Sequence, residues 1–271
     1  MDLQDQRVLI TGAGGGIGRA LVRELAARGA RLCALEHSPA AAEALIAELE
    51  PLGISPLLSY GDLTQVQTRA AALALAEKAW GGVDLLINLA GVLDFVRYPE
   101  QDPGAISRLI KVNVEVPMLL TRAVLPGMLE RRHGGIVNVG SMFGSIGFPL
   151  FAAYSASKFA LRGFSQALRR ELAGTGVGVT YVSPRAVKTP LNPPVVHAMA
   201  ERGLMHMDAP GPVALAIVRA IEQDRKEAYF GLPEGIFARV NGVLPGLVDR
   251  ALAKQLPTLV IYATEAKPAD A

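Results

Sequence analysis

Cysteine is almost absent from this 271-residue chain, where Cys33 stands alone. A single thiol excludes an internal disulfide framework and any multi-cysteine zinc or iron–sulfur site, and no metal site is expected. It suits a reducing compartment. Aromatic residues make up 6% of the chain and charged residues 19%, with 27 Lys and Arg against 25 Asp and Glu. The resulting net charge of +2 leaves no basic footprint for a polyphosphate, so no nucleic-acid partner is expected. Long charge runs are missing while hydrophobic residues reach 51%, a balance that excludes an intrinsically disordered chain. The start, Met1-Asp2-Leu3-Gln4-Asp5, is acidic and polar and does not read as a secretory signal. Mean hydropathy is high at +0.30, yet the longest charge-free stretch, 134–157, is broken by Gly134, Gly135, Gly140, Gly144, Gly147 and Pro149. That is the punctuation of a strand and a loop, so no transmembrane helix is expected.

Short apolar runs alternate with helical stretches. Arg7–Thr11, Arg31–Glu36, Ile54–Tyr60, Val83–Asn88, Ile136–Gly140 and Val177–Ser183 read as buried strands, with a seventh near Glu227–Gly231. Their continuous apolar character suits a parallel sheet covered on both faces. Gly16–Arg28, Ala40–Leu49, Gln65–Trp80, Ala105–Arg131, Ala152–Leu172 and Pro212–Gln223 read as helices. This cadence predicts an α/β fold: one Rossmann-type, doubly wound, mainly parallel seven-stranded sheet with helices on both faces. The main domain is expected over 1–231, including an apolar flap at about 189–209 that carries Met199, Met205 and Met207. An apolar helical extension and tail, 232–271, follows. There Ile236, Phe237, Val240, Val243 and Leu244 fall at helical spacing, and Leu247, Val248, Ala251 and Leu252 continue after Pro245-Gly246. Two short amphipathic turns are expected, packed on protein and closing an apolar pocket, with weak membrane-surface contact as the secondary reading.

Two constellations carry chemistry. Thr11-Gly12-Ala13-Gly14-Gly15-Gly16-Ile17-Gly18 follows the first strand and opens the first helix. Glycines there permit a tight turn, let backbone N–H groups approach a pyrophosphate, and let helix and strand pack closely. Glu36 ends the second strand, where an acid accepts both adenosine ribose hydroxyls and repels a 2′-phosphate. No base lies in the turn or directly after Glu36, so NAD(H) is the expected cofactor, with NADP(H) left open. Tyr154 and Lys158 stand four residues apart on one helical face. A phenol with a pKa of about 10 is a poor base, and a neighbouring ammonium favours its anion. Ser141, just after a strand, offers a hydroxyl to polarise a carbonyl beside the same phenol.

The glycine-rich turn, Asp62, Asn88-Leu89-Ala90-Gly91, Asn113, Ser141, Tyr154-Ser155-Ala156-Ser157-Lys158 and Pro184 occur in that order. Across roughly residues 6–231 this resembles the short-chain dehydrogenase/reductase family. The resemblance implies Tyr154 as general acid/base and Ser141 as holder of the substrate oxygen. Lys158 would bind the nicotinamide ribose and lower the Tyr154 pKa. Asn113, the fourth catalytic residue, would kink its helix and hold a water linking Lys158 to solvent. Around the cofactor, Gly12, Gly14, Gly15, Gly16, Ile17 and Gly18 would meet phosphate, Asp62 with Leu63 the adenine, and Asn88, Ala90 and Gly91 the adenosine side. Pro184, Val187 and Thr189 would line the nicotinamide, Thr189 through its hydroxyl. Two positions depart from the family pattern: Leu89 replaces a second Asn, and Arg185 replaces the Gly of a Pro-Gly pair. Arg185 could reach cofactor phosphate or an acidic substrate group, or extend to solvent.

Elsewhere, Cys33 reads as a buried inert thiol, Trp80 as the core-facing end of a helix and Arg131-Arg132-His133 as a solvated turn. His197 and His206 read as surface or pocket-rim residues. The expected activity interconverts a secondary alcohol and a ketone. The apolar loop Met142–Phe151 and the flap point to an apolar, lipid-like substrate. A 3-oxoacyl carrier-protein reductase is the enzymatic rival, and a non-catalytic nicotinamide sensor or scaffold the rival of another class. The resemblance also implies a homodimer or homotetramer through the helices around 105–131 and 152–172. The expected location is cytoplasmic, with membrane-peripheral attachment as the variant.

Overall fold

A computed structural model describes residues 1–231 and 234–265. Seven parallel strands form the central sheet: β1 (Arg7–Thr11), β2 (Arg31–Glu36), β3 (Leu57–Tyr60), β4 (Leu85–Asn88), β5 (Gly134–Val139), β6 (Val177–Ser183) and β9 (Glu227–Tyr229). Their order is β3-β2-β1-β4-β5-β6-β9. The first β-α-β units run outward from β1 on one side, and the chain then returns to build the other side from β4. The carboxyl ends of β1 and β4 therefore diverge at a switch point, where doubly wound sheets bind ligands. Between β6 and β9, a two-stranded ribbon pairs β7 (Ala186–Val187) with β8 (Met207–Asp208).

Helices cover both faces. Along β1, Val8 and Ile10 face one layer, built from α1 (Gly16–Ala26), α2 (Pro39–Leu49) and α8 (Pro210–Glu222). Leu9 faces the other, with α3 (Val66–Trp80), α5 (Val116–Arg131) and α6 (Ala152–Glu171). This two-sided burial is why the strands are apolar throughout rather than alternating. Helix starts carry their own signals. Ser38 accepts from the Ala41 N–H ahead of α2, and Asp102 accepts from the Ala105 N–H ahead of α4 (Pro103–Ile110), each followed by Pro at the first turn.

Strands β1, β2 and β6 take the bounds expected from the sequence. β3 starts three residues later than the expected Ile54, because Pro56 has no N–H to donate to a ladder. The single helix expected over 105–131 is divided: α4 gives way to a π-turn at Lys111–Glu115 before α5. The cause is Asn113. Its Oδ1 accepts from the Val92 N–H (2.9 Å), and its Nδ2 donates to Val92 O (2.8 Å) and Ser157 Oγ (3.0 Å), which draws the backbone out of α-register. The helical run Pro103–Arg131 is long and apolar enough to cross a membrane, but Leu120, Val124 and Met128 bury one side of it in the sheet core.

The flap is more ordered than a loop: it holds α7 (Pro194–Glu201) and β8. The extension is longer than two turns. α9 (Glu234–Val243) is followed by α10 (Pro245–Glu265), which runs through Pro257. Leu259 and Tyr262 of α10 pack with Val196 and Met199 of α7, and that burial outweighs the proline's lost hydrogen bond. Residues 232, 233 and 266–271 of the expected extension lie outside the described residues. Arg131 does more than sit in a solvated turn: its Nη2 donates to Val83 O at 3.0 Å. Cys33 is buried, and desolvation pushes its thiol up to about 11, as suits an inert group.

Candidate active site

The glycine-rich turn lies between β1 and α1. Gly12 adopts a φ of +71°, and a Cβ there would come within 2.9 Å of Ala90 Cα, so only glycine lets the turn from β1 approach the segment after β4. No side chain caps the N-terminus of α1 and no acid lies in its first turn. Its free N–H groups therefore suit a pyrophosphate. Glu36 ends β2 as a buried carboxylate that accepts from the Gly14 N–H at 2.5 Å. Asp62 follows β3, exposed, with its carboxylate accepting from Thr64 N and Thr64 Oγ1, each at 2.8 Å. The Thr64 backbone bond comes first among the causes that lower its pKa. Leu63 is buried beside it. The glycine turn and the uncapped start of α1 thus fit the phosphates of a dinucleotide.

After β4, the Leu89 and Ala90 N–H groups both donate to Thr11 Oγ1 at 3.1 Å, which fixes the chain through Gly91. The Asn88 side chain points into the protein and donates to Asn138 Oδ1 at 2.8 Å. The Asn88 Oδ1 is buried with no hydrogen-bond partner among the described residues.

At the other end of the crevice, β5 delivers Ser141 and α6 delivers Tyr154 and Lys158. Tyr154 is buried, and the nearby Ser141 hydroxyl acts to lower its pKa. Lys158 Nζ donates to Val139 O at 3.1 Å and lies 5.6 Å from the Tyr154 ring centre. A Cβ on Gly91 would stand 3.3 Å from Asn113 Oδ1 and 3.6 Å from Lys158 Nζ, so these two groups converge at one point. Ser157 joins them, accepting from Asn113 and donating to Tyr154 O at 2.7 Å. Burial sets the protonation states. It pushes the Tyr154 phenol up to about 12 against the opposing Ser141 hydroxyl, and drives Lys158 down to about 8. The sequence led to the opposite expectation for Tyr154, a phenol lowered by Lys158. Desolvation, which spacing does not reveal, is the larger effect in the protein.

These groups open on a cavity of about 490 Å³, which brings together Ile17, Gly91, Ser141, Tyr154, Lys158, Pro184, Val187 and Thr189. Thr189 is buried, and a Cβ on Gly16 would meet its Cγ2 at 2.6 Å. The flap and the C-terminal helices roof the cavity through Met205, Phe237, Val240, Leu247 and Leu252. His206 lines it, whereas His197 does not and instead has its Nε2 3.2 Å from Thr189 O. Arg185 departs from both readings of it: rather than extending to solvent or standing ready for an anion, it grips Asp208 with Nε at 2.8 Å and Nη2 at 2.6 Å. Spacing along the chain also missed Tyr181, whose hydroxyl accepts from Ser141 N (3.4 Å) and donates to Ser141 O (3.3 Å) beneath the serine. A lone aromatic in an otherwise aliphatic strand was the available signal.

Residues 6–200 match the family described as short chain dehydrogenase. A 2-(S)-hydroxypropyl-CoM dehydrogenase of Xanthobacter autotrophicus is 35% identical over 68% of this chain and 72% of its own. The 3-oxoacyl-acyl-carrier-protein reductase of Escherichia coli is 33% identical over 70% and 76%. Dehydrogenase/reductase SDR family member 7B of Mus musculus is 34% identical over 93% and 82%, so its match extends into the C-terminal helices. With a short chain dehydrogenase of Pseudocercospora fijiensis included, the chain spans 63% to 82% of these relatives' lengths. A Rossmann-type sheet with a glycine-rich turn at its switch point, and these matches over most of the chain, place the protein in the short-chain dehydrogenase/reductase family, as an NAD(P)-dependent oxidoreductase acting on CH–OH groups.

Proposed function

We propose that this alcohol/ketone oxidoreductase acts on an apolar, lipid-like substrate, with Tyr154 as the group that gives and takes the proton. The cavity carries the reading: Ser141, Tyr154 and Lys158 line it, and the flap, Phe148, Phe151 and the α9–α10 roof supply mostly apolar walls. Such a vessel orients a substrate by one oxygen and desolvates the rest.

In this reading, bound nicotinamide supplies or receives the hydride. Ser141 and Tyr154 hold the substrate oxygen together. In ketone reduction the Tyr154 O–H, kept protonated by burial, donates its proton to that oxygen. In alcohol oxidation the phenolate must form, and the Lys158 ammonium offsets its charge. Asn113, fixed to Val92 and Ser157, positions the Lys158 neighbourhood. Gly12, Gly14, Gly15, Gly16, Ile17 and Gly18 would cradle the phosphates, and Pro184, Val187 and Thr189 the nicotinamide side. Glu36 favours NAD(H) over NADP(H).

The carrier-protein reductase reading needs a basic rim from Arg185, Lys188 or Arg202; Arg185 is paired with Asp208, which leaves the exposed Lys188 and Arg202 to supply it. The intact Ser141, Tyr154 and Lys158 set weighs against a scaffold. Exposed Met118, Leu129 and Phe159 on α5 and α6 support a homodimer or homotetramer, and exposed Val243, Leu244 and Leu247 support weak membrane-surface contact of a cytoplasmic enzyme. We divide the chain into a dehydrogenase domain, 1–231, and a pocket-closing extension, 232–271. A panel of apolar and polar secondary alcohols and ketones, run with NAD(H) and NADP(H), tests this. Apolar members should have the higher kcat/KM; preference for charged or small polar substrates contradicts it.

A further inference from the structure

The catalytic cavity has a neighbour. A groove of about 530 Å³ lies between α6, α10 and the loop at Gly147-Phe148-Pro149. Ala152, Ser155, Ala156 and Phe159 face it from α6, and Asp249, Leu252, Ala253 and Leu256 from α10. Each set falls at i, i+3, i+4 and i+7, so two helices present parallel stripes to one trough. The trough is apolar in character. Ser155 Oγ is engaged by the Phe148 N–H at 3.3 Å, and Asp249 is the one charged residue along it.

Two residues, Phe148 and Leu252, line both the groove and the catalytic cavity. Neither is fully buried, so both side chains stand at the boundary between the two spaces. Aromatic rings mark the same path. The Tyr154 ring lies 6.2 Å from Phe143, edge to face, and Phe143 stacks on Phe148 at 4.9 Å. From the phenol, the apolar surface thus continues through Phe143 to Phe148 and into the groove.

We infer that the groove is a distal subsite of the catalytic pocket, and that the substrate is an elongated hydrocarbon chain whose far end passes between Phe148 and Leu252 to lie between α6 and α10. This rests on the apolar-substrate reading and sharpens it: selection is for chain length, because each further methylene buried in the trough raises affinity about fourfold. A compact ring system of equal hydrophobicity fills the cavity but gains nothing from the groove.

The test uses the full chain with NAD(H) and NADP(H) and a homologous series of 2-alkanols and 2-alkanones from six to sixteen carbons. In the unmodified enzyme, KM falls steadily with chain length beyond the point where the cavity is filled. Ala253→Trp, at an exposed α10 position that lines the groove alone, raises the ratio of long-chain to short-chain KM at least tenfold. That corresponds to ~1.4 kcal/mol, the worth of about two methylenes. Lys254→Trp, one residue on and off the groove, leaves the ratio unchanged. A ratio that stays within twofold in Ala253→Trp overturns the subsite. So does a KM rise equal at every chain length, or one that accompanies a change of oligomeric mass in light scattering, since the groove would then seat another subunit. Turnover of short alcohols with no dependence on length rejects the groove and keeps the apolar-substrate reading; no turnover anywhere in the series rejects both.

Discussion

The substitution Arg185→Ala leaves the Asp208 carboxylate without its guanidinium and unpins the end of the flap. Arg185 follows Pro184 at the cavity, Asp208 lies on the return strand β8, and the Lys188 N–H also donates to Asp208 O at 2.9 Å. The two side chains are 21% and 24% exposed. Fully exposed pairs contribute 0.2–1 kcal/mol, while breaking a buried pair costs 3–5 kcal/mol. A bidentate, charge-assisted pair at this intermediate exposure should couple by ~2 kcal/mol. For a chain of this size that is a fall in Tm of about 4 °C. A double-mutant cycle of Arg185→Ala, Asp208→Ala and the double variant isolates the pair from the other contacts of Arg185. Met205 and His206 line the cavity just before β8, so the loosened flap should raise KM for apolar substrates about fivefold, a loss of ~1 kcal/mol, with kcat within twofold. A coupling energy below ~0.3 kcal/mol, within ordinary additivity, or a loss confined to kcat, would refute the reasoning.

Two further expectations follow from the site. Lys158 has its pKa lowered to about 8 and Tyr154 raised to about 12, so below about pH 7 both carry the protons that ketone reduction needs. The kcat/KM for reduction should be flat there and decline as pH rises through about 8, while Lys158→Arg should move that decline upward; a wild-type profile flat to pH 10 contradicts the assignment. Glu36→Ala should improve NADPH binding by roughly tenfold, since about 1.4 kcal/mol of repulsion is removed. Fluorescence titration showing that the unmodified protein already binds NADPH more tightly than NADH would defeat that argument.

Local signals made much of the fold legible. β1, β2 and β6 announce themselves as apolar runs because both faces of the sheet are buried, and the glycine turn and the Tyr154/Lys158 spacing point to the switch-point crevice and to the helix whose side chains line the cavity. What escaped the sequence depends on partners far along the chain. The break at Asn113 comes from a bond to Val92, 21 residues away, and the fate of Arg185 from Asp208, 23 residues away. The continuity of α10 through Pro257 comes from burial of Leu259 and Tyr262 on α7. The elevated Tyr154 phenol belongs to the same class, since spacing identifies a neighbour but not how dry the site is.

The assignment of Tyr154 as the proton-transfer group is tested most directly by Tyr154→Phe, which keeps the ring and its contacts with Phe143 and Phe151 and removes only the hydroxyl. Turnover of the best substrate from the panel should fall at least about 100-fold, the scale of a lost general acid, while NADH binding measured by fluorescence titration stays within twofold. Turnover within tenfold of the unmodified enzyme would contradict the account.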